Sequence, residues 1–161
     1  MVDEIAHEAA INLFRKARTA FLDLPGLIEE LSSHTALHRS MKEYVVPASY
    51  NDGQDALIEN MLHHEKVVEE IKKQMEDLNQ VTSDAHRVLK HMDDPGDVMV
   101  LRLHYLCGMS ERKIGKLDDW PYGKHYVQEK KALALIHAAP VMRKLRLVQR
   151  YAVLNENAIY S

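Results

Sequence analysis

The sequence predicts an all-α protein, with one long helix in an N-terminal helical hairpin or coiled coil and a C-terminal helix-turn-helix domain. Three observations support this prediction. Helix-favouring residues such as Ala, Leu, Glu, Lys and Met are common, whereas strand-forming runs with period-two alternation are scarce. A heptad pattern extends over five repeats in the middle of the chain. Three short helical segments with turn residues between them follow it.

Composition limits the class of protein. The chain has 161 residues, of which 46 % are apolar and 28 % are charged, so we expect one domain or a small domain with an elongated helical part. The lone cysteine, Cys107, cannot form a disulfide within the chain, which is typical of a reducing compartment. No leader and no membrane-length apolar run is visible, so a cytoplasmic protein without a membrane partner is expected.

The first half of the chain is predicted to be helical with one interruption. Val2–Leu24 has the spacing of an amphipathic helix. Pro25 and Gly26 are expected to break or kink it, and Leu27–Leu31 then suggests a short second helix. Val45–Gly53 is predicted to be a loop, since Pro47 favours extended backbone before it.

A heptad seam gives the strongest periodic signal. Its members, at alternating spacings of four and three, are Leu57, Met61, His64, Val68, Ile71, Met75, Leu78, Thr82, Ala85, Leu89 and Met92. A helix of about 40 residues spans about 60 Å and must pack on another helix. Val2–Leu24 is one candidate partner and a second copy of the chain is the other, with a homodimer through the long helix preferred. Asp93–Gly96 is expected to end the helix, giving a coiled-coil region 1–94 and a C-terminal domain 95–161.

Three helical segments are predicted in the C-terminal domain. They are Asp97–Cys107, Glu111–Leu117 and Tyr122–Ala138, and a last helix, Val141–Leu154, follows Pro140. Gly108 is expected to end the first helix as its C′ residue, and Ser110 is a good N-cap for the second. Asp118–Pro121 is expected to form the turn before the third. These lengths suit a helix-turn-helix, although three short helices also fill many other α-helical domains.

Charge is distributed unevenly and points to nucleic acid. Residues 1–109 carry 11 Lys and Arg against 19 Asp and Glu, whereas residues 110–150 carry 10 against 4. A basic module attached to an acidic one is typical of a DNA reader with a protein-contacting part. Arg112, Lys113 and Lys116 of the second helix are expected to meet phosphates, while Lys124 and Lys131 share one face of the third. The core sides are expected to be Ile114, Leu117, Ala132, Leu133 and Ile136.

Two resemblances sharpen this hypothesis. Val100–Leu106, followed by Gly108, Ser110 and Ile114, resembles a stretch of the minus-thirty-five-reading domain of bacterial sigma factors. Over residues 53–137 the chain also resembles small phage transcription regulators of the ArpU/RinA type, in which a long charged helix ends in Asp-Pro before a sigma-like helix-turn-helix. Asp94-Pro95 matches that break. The residues that match the recognition helix are Tyr122, Tyr126, Lys130, Lys131, Ala132 and Leu133.

These resemblances imply a sequence-specific regulator of phage or prophage genes that binds double-stranded DNA and acts with host RNA polymerase. They add Tyr122, Tyr126 and Lys130 to the candidate DNA contacts. His125 and Gln128 depart from the family pattern. Lys124, near the start of the third helix, is expected to contact base edges. If the register of this helix is shifted, Tyr122 or Gln128 would make that base contact instead.

Other functional classes have weaker signals. His34 and His38 lie four apart and His63–Glu65 is a polar run, but no HExxH motif or cysteine pair is present, so no metal is expected. We see no phosphate loop or nucleophile elbow and therefore expect neither an enzyme nor a cofactor. Cys107 is expected to be buried and Trp120 to be a core residue. The alternative function is a coiled-coil adaptor whose C-terminal helices mediate protein association only.

Overall fold

A computed structural model describes residues 3–43 and 52–152. Its α-helices are α1 (Glu4–Glu43), α2 (Asp52–Lys90), α3 (Pro95–Leu101), α4 (Glu111–Gly115), α5 (Val127–Lys144) and α6 (Val148–Tyr151). A π-helical turn, Arg102–Leu106, continues α3, and a 3-10 turn, Lys124–Tyr126, leads into α5. The described residues contain no strand, which confirms the all-α class. None of the helices in these ranges has an apolar stretch long enough to cross a membrane.

The chain divides into two compact units. The core unit comprises the residues up to Leu22 together with those from Asn79 onward, and the hairpin unit comprises Asp23–Leu78. This division differs from the boundary between residues 94 and 95 that the sequence suggests. The difference arises because the start of α1 and the end of α2 pack with the C-terminal helices in one hydrophobic cluster.

Small side chains line the part of α1 that belongs to the core unit. The buried residues of this stretch are Ala6, Ala9, Ala10, Leu13, Phe14, Ala17 and Ala20. Their spacing of three and four places them on one helical face. All of them except Ala20 share a cluster with Val88 of α2 and Leu135 of α5, and the Phe14 ring lies 5.7 Å from that of Tyr105. The first and last parts of the sequence therefore form one core.

The heptad seam faces inward along α2. Within the hairpin unit its members are buried or half-buried, and Ile71, with 4 % of its surface exposed, is the most buried. His34 of α1 contacts His64 of the seam. The partner of the seam in this unit is therefore the later part of α1 of the same chain, and the contact at His34 lies beyond the predicted partner segment Val2–Leu24.

Neither predicted proline break interrupts its helix. α1 runs through Pro25 to Glu43, and α5 runs through Pro140 to Lys144. Both prolines are exposed, so the backbone groups that a helical proline leaves without partners can face water. The predicted helix Val141–Leu154 is accordingly split between the end of α5 and α6, with Arg146 between them at a φ of 58°.

The ends of the predicted N-terminal elements fall partly outside the described residues. Residues 44–51, which include most of the predicted loop, are not described, and α2 begins at Asp52. Leu154 also lies outside the described ranges. At the other end of α2, the helix stops at Lys90, a little before the last seam residue, Met92.

Capping residues fix the start of α3 and of α4. Asp94 accepts a hydrogen bond from the backbone N–H of Gly96 at 2.9 Å, so α3 begins at Pro95, two residues before the predicted start. Ser110 caps α4 as predicted, accepting from the N–H of Lys113 at 3.2 Å. Between them Gly108 has a φ of 69°, in keeping with its predicted place after a helix end.

Cys107 is exposed, so the prediction that it is a buried hydrophobe is wrong. It lies immediately after the π-helical turn. The chain leaves the helical surface there through Gly108.

Candidate nucleic-acid interface

α4 and the start of the third helix approach each other closely at a glycine. A Cβ added to Gly115 would lie 3.1 Å from the carbonyl oxygen of Lys124 and 3.2 Å from its Cα. The neighbouring Ile114 is fully buried, as predicted, and Leu117 packs against the same core. Sequence reasoning did not single out Gly115. A glycine inside so short a predicted helix was the available signal, because a helix interior normally disfavours it.

Exposed basic side chains surround the cleft between these two elements. The cleft has a volume of about 430 Å³ and is lined by Glu111, Arg112, Lys116, Lys124, His125, Val127 and Gln128. Arg112, Lys116 and Lys124 are all exposed, as is the nearby Lys113. We call Arg112, Lys113, Lys116 and Lys124 the basic rim.

The third helix begins later than the sequence suggests. Tyr122 belongs to the turn, Gly123 adopts a φ of 84°, and the 3-10 turn starts at Lys124. The regular α-helix starts at Val127. Lys124 and Gln128 therefore both lie within the first turns of the third helix, and both are exposed.

The inward face of α5 differs from the prediction. Its buried residues are Val127, Lys130, Ala134, Leu135, Ala138, Ala139 and Met142. Ala132 and Leu133 are exposed and Ile136 is half-buried, so the predicted core register is wrong for the first two. The buried residues recur at helical spacing from Val127. This spacing places Lys130 on the packed side of α5 and Leu133 on the exposed side.

That lysine, Lys130, is engaged inside the fold. Its surface is 7 % exposed, and its Nζ lies 2.9 Å from Oδ2 of Asp94 and 3.1 Å from Oδ1 of Asp97. Burial alone would lower the pKa of Lys130, but the two carboxylates outweigh it and hold this pKa above its usual range. The prediction that Lys130 contacts DNA is therefore corrected, because its charge already has two buried or half-buried partners.

Asp97 is the centre of this polar cluster. It is 1 % exposed, and its Oδ2 accepts a hydrogen bond from Nδ1 of His137 at 2.6 Å. Lys130 reaches its other oxygen. A buried carboxylate requires such partners, and these two come from α5. The contacts attach α5 to α3, a role that sequence reasoning did not foresee for Asp97.

Lys131 occupies an intermediate position. It is half-buried, forms an ion pair with Glu111 and lies 6.0 Å from the ring centre of Tyr105. The pair joins α5 to the first residue of α4. A phosphate would have to compete with Glu111 for this lysine, so its contribution to DNA binding is expected to be smaller than that of the basic rim.

The aromatic residues of the turn form a chain of contacts. Trp120, 6 % exposed, is a core residue as predicted, and its Nε1–H donates to the carbonyl of Gly123 at 2.8 Å. The ring of Tyr122 lies 5.1 Å from that of Trp120 and 5.8 Å from that of Tyr126. Tyr122 is 38 % exposed and Tyr126 is half-buried. The tyrosines therefore order the turn and leave part of Tyr122 accessible.

Comparison of the chain with models of protein families, with curated proteins and with solved structures finds no match. The resemblance to phage regulators and sigma factors thus remains an expectation that depends on the motif residues.

Proposed function

We propose that the protein is a sequence-specific transcription regulator that binds double-stranded DNA through α4 and the third helix. The single observation that carries this proposal is the basic rim: three exposed cations line a cleft between α4 and the start of the third helix, which meet at Gly115, and a fourth, Lys113, is exposed on α4. A helix-turn-helix binds DNA with its second helix at the backbone and its third in the major groove. Regulation of phage or prophage genes together with host RNA polymerase follows from the resemblance alone.

The charges near the cleft favour a polyanion. Arg112, Lys113 and Lys116 belong to α4 and its C-cap, where backbone phosphates would be met. The acidic residue of the cleft, Glu111, is paired with Lys131, which offsets its charge. Each phosphate that the rim neutralises releases counterions, so affinity should fall steeply as salt rises.

Base contacts are assigned to the start of the third helix. Lys124 and Gln128 are exposed one helical turn apart and line the same cleft. Lysine pairs with the acceptors of guanine and glutamine with adenine in the major groove. These two residues are therefore the ones we expect to read sequence.

The test removes three rim charges and compares the result with three removed elsewhere. The rim variant is Arg112→Ala/Lys113→Ala/Lys116→Ala, which removes the three expected phosphate contacts. The control is Lys66→Ala/Lys72→Ala/Lys73→Ala, which changes the net charge equally on exposed positions of the hairpin unit. Fluorescence anisotropy with a labelled random duplex, over a range of salt, measures affinity. The rim variant should lower the salt slope by about 2.7 units, and the control should leave it unchanged. Equal losses in both variants would reject this interface.

A second observation favours the adaptor alternative. The core unit has another cleft, of about 560 Å³, which is mostly apolar. Its lining includes Leu89, Met92, Val98, Met99, Leu103 and Leu117. Such a cleft suits a protein partner, either as the whole function or alongside DNA. Full-length protein that lacks measurable affinity for duplex DNA at low salt would favour the adaptor.

A homodimer belongs to this proposal as well. Since α1 of the same chain packs against the seam, a second copy would have to use other surfaces. Ile28, Leu37, Ile58 and Leu62 of the hairpin unit are large exposed apolar residues. Light scattering on the full chain, and on the variant Ile58→Ser/Leu62→Ser, would test whether they mediate self-association.

A further inference from the structure

Two histidines from different helices converge in the hairpin unit. His34 lies on α1 and His64 on α2, and both are half-buried. Their Nδ1 atoms are 3.0 Å apart, and the ring centres are 5.2 Å apart at an interplanar angle of 46°. The four-residue spacing in the sequence pairs His34 with His38 instead. The side chain of His38 lies outside the described residues.

We propose that His34 and His64 form a binding site for a divalent transition metal such as Zn²⁺. Zinc bonds to imidazole nitrogen at about 2.0–2.1 Å, so two nitrogens of a tetrahedral site lie about 3.3 Å apart. The observed 3.0 Å separation needs to widen by only a few tenths of an ångström. Both Nδ1 lone pairs would then point at one ion held between the two helices.

Glu30 supports this arrangement from the other side of the His34 ring. Its Oε1 lies 3.9 Å from Nε2 of His34, one helical turn away on α1. An imidazole that binds a metal through Nδ1 keeps its proton on Nε2, and a carboxylate near that proton fixes the tautomer. At 3.9 Å the Glu30 carboxylate is beyond hydrogen-bond distance, so its side chain would have to move closer to accept the Nε2 proton and leave the Nδ1 lone pair for the ion.

The remaining coordination positions would be filled by water. In residues 3–43 and 52–152 no three His, Cys, Asp or Glu side chains are grouped so as to hold a metal. A two-imidazole site of this kind prefers Cu²⁺, Ni²⁺ or Zn²⁺ and discriminates against Mg²⁺, which prefers oxygen ligands. Because its ligands come from both helices, the ion would bind the closed hairpin and not the unfolded chain.

The first experiment measures thermal unfolding of the full chain with ZnCl₂. Binding to the folded state alone should raise Tm by about 4 °C when zinc exceeds its dissociation constant about tenfold, whereas MgCl₂ should not raise it. His64→Gln and His34→Gln should abolish the rise. His63→Gln is the matched control, since His63 is adjacent and exposed, and it should retain the full rise.

The second experiment observes the rings directly. In ¹⁵N NMR spectra of the full chain, zinc should shift the Nδ1 resonances of His34 and His64 and leave their Nε2 protonated. This readout does not require the variants to fold. A zinc-dependent Tm rise that persists in both His34→Gln and His64→Gln, or unchanged ring resonances on zinc addition, would overturn the proposal and identify the contact as an imidazole–imidazole hydrogen bond.

Discussion

Lys124 and Lys130 lie six residues apart at the start of the third helix and yet have opposite environments. Lys124 is exposed beside the cleft, whereas Lys130 is buried against Asp94 and Asp97. The first is available to a partner, and the second holds α5 to α3. A lysine on a basic helix can therefore be assigned to a ligand only once its burial and its acidic neighbours are known.

The same lesson applies to the charge asymmetry of the whole sequence. At least three cations of the basic C-terminal part pair with acids of the acidic part. These pairs are Lys130 with Asp94 and Asp97, Arg143 with Asp3, and Arg150 with Asp84. Part of the asymmetry is therefore satisfied inside the core unit. The charge that remains for a ligand is concentrated at the basic rim.

The largest effect is expected from replacing Lys130, the buried one of the two lysines compared above. Lys130→Met keeps most of the aliphatic packing but leaves the buried carboxylate of Asp97 without its cation, which should lower the free energy of unfolding by about 3 kcal/mol. Lys124→Met is the matched control and should change it by less than about 0.5 kcal/mol. Urea denaturation measures both. Similar values for the two variants would contradict the difference in environment.

Replacing the exposed Lys124 should affect DNA recognition and not stability. Once a specific site has been selected, Lys124→Ala should weaken binding to it by about tenfold and relax preference at about one base pair. Random duplex should be bound only slightly less well. An equal loss on both duplexes would make Lys124 a phosphate contact and transfer sequence reading to Gln128.

Lys131 should give a smaller effect, because Glu111 already pairs with it. Lys131→Ala is expected to lower the salt slope by less than the one unit that a full phosphate contact contributes. Glu111→Gln is the informative companion, since it frees Lys131 and should increase affinity for random duplex. Titration at several salt concentrations measures both slopes. A decrease in affinity for Glu111→Gln would show that the pair is needed to position α4.

The smallest effect concerns His104, which lies beside Lys131. Burial lowers the pKa of His104, and the charges of Lys131 and Arg18 act in the same direction, against a hydrogen bond to the carbonyl of Met109. The unfolded chain therefore binds a proton more readily than the folded one, so stability should fall as pH drops below about 6.5. His104→Gln should show a shallower fall between about pH 7.5 and about pH 5.5 in urea denaturation. If the stability of His104→Gln and of the unchanged protein fell equally with pH, His104 would not contribute to the pH dependence of stability.

Local patterns predicted much of the fold. The heptad spacing identified the inward face of α2, and Ser110 and Gly108 marked the ends of short helices where the structure has them. The helix breaks predicted at Pro25 and Pro140 are absent because a proline at an exposed helical position need not end a helix whose other face is packed.

The candidate site was harder to predict, for a physical reason. Which side of α5 faces inward depends on contacts between distant segments, such as Asp97 with Lys130 and with His137. Spacing within the helix suggested Leu133 for the core, and the resemblance to phage regulators suggested Lys130 for the DNA-facing surface. The structure reverses both assignments. The rim residues were easier, because a charged residue on a short amphipathic helix is exposed by default.

Because the core unit is discontinuous in sequence, its parts become available for folding at different times during synthesis. The alanine-lined face of α1 is synthesised more than 130 residues before Tyr151, which packs in the same core. At about 5–20 residues per second, the two emerge on the order of ten seconds apart. The hairpin unit, Asp23–Leu78, has its own contacts and can close in the meantime. That face of α1 is thus exposed to solvent and to chaperones until Tyr151 has been synthesised.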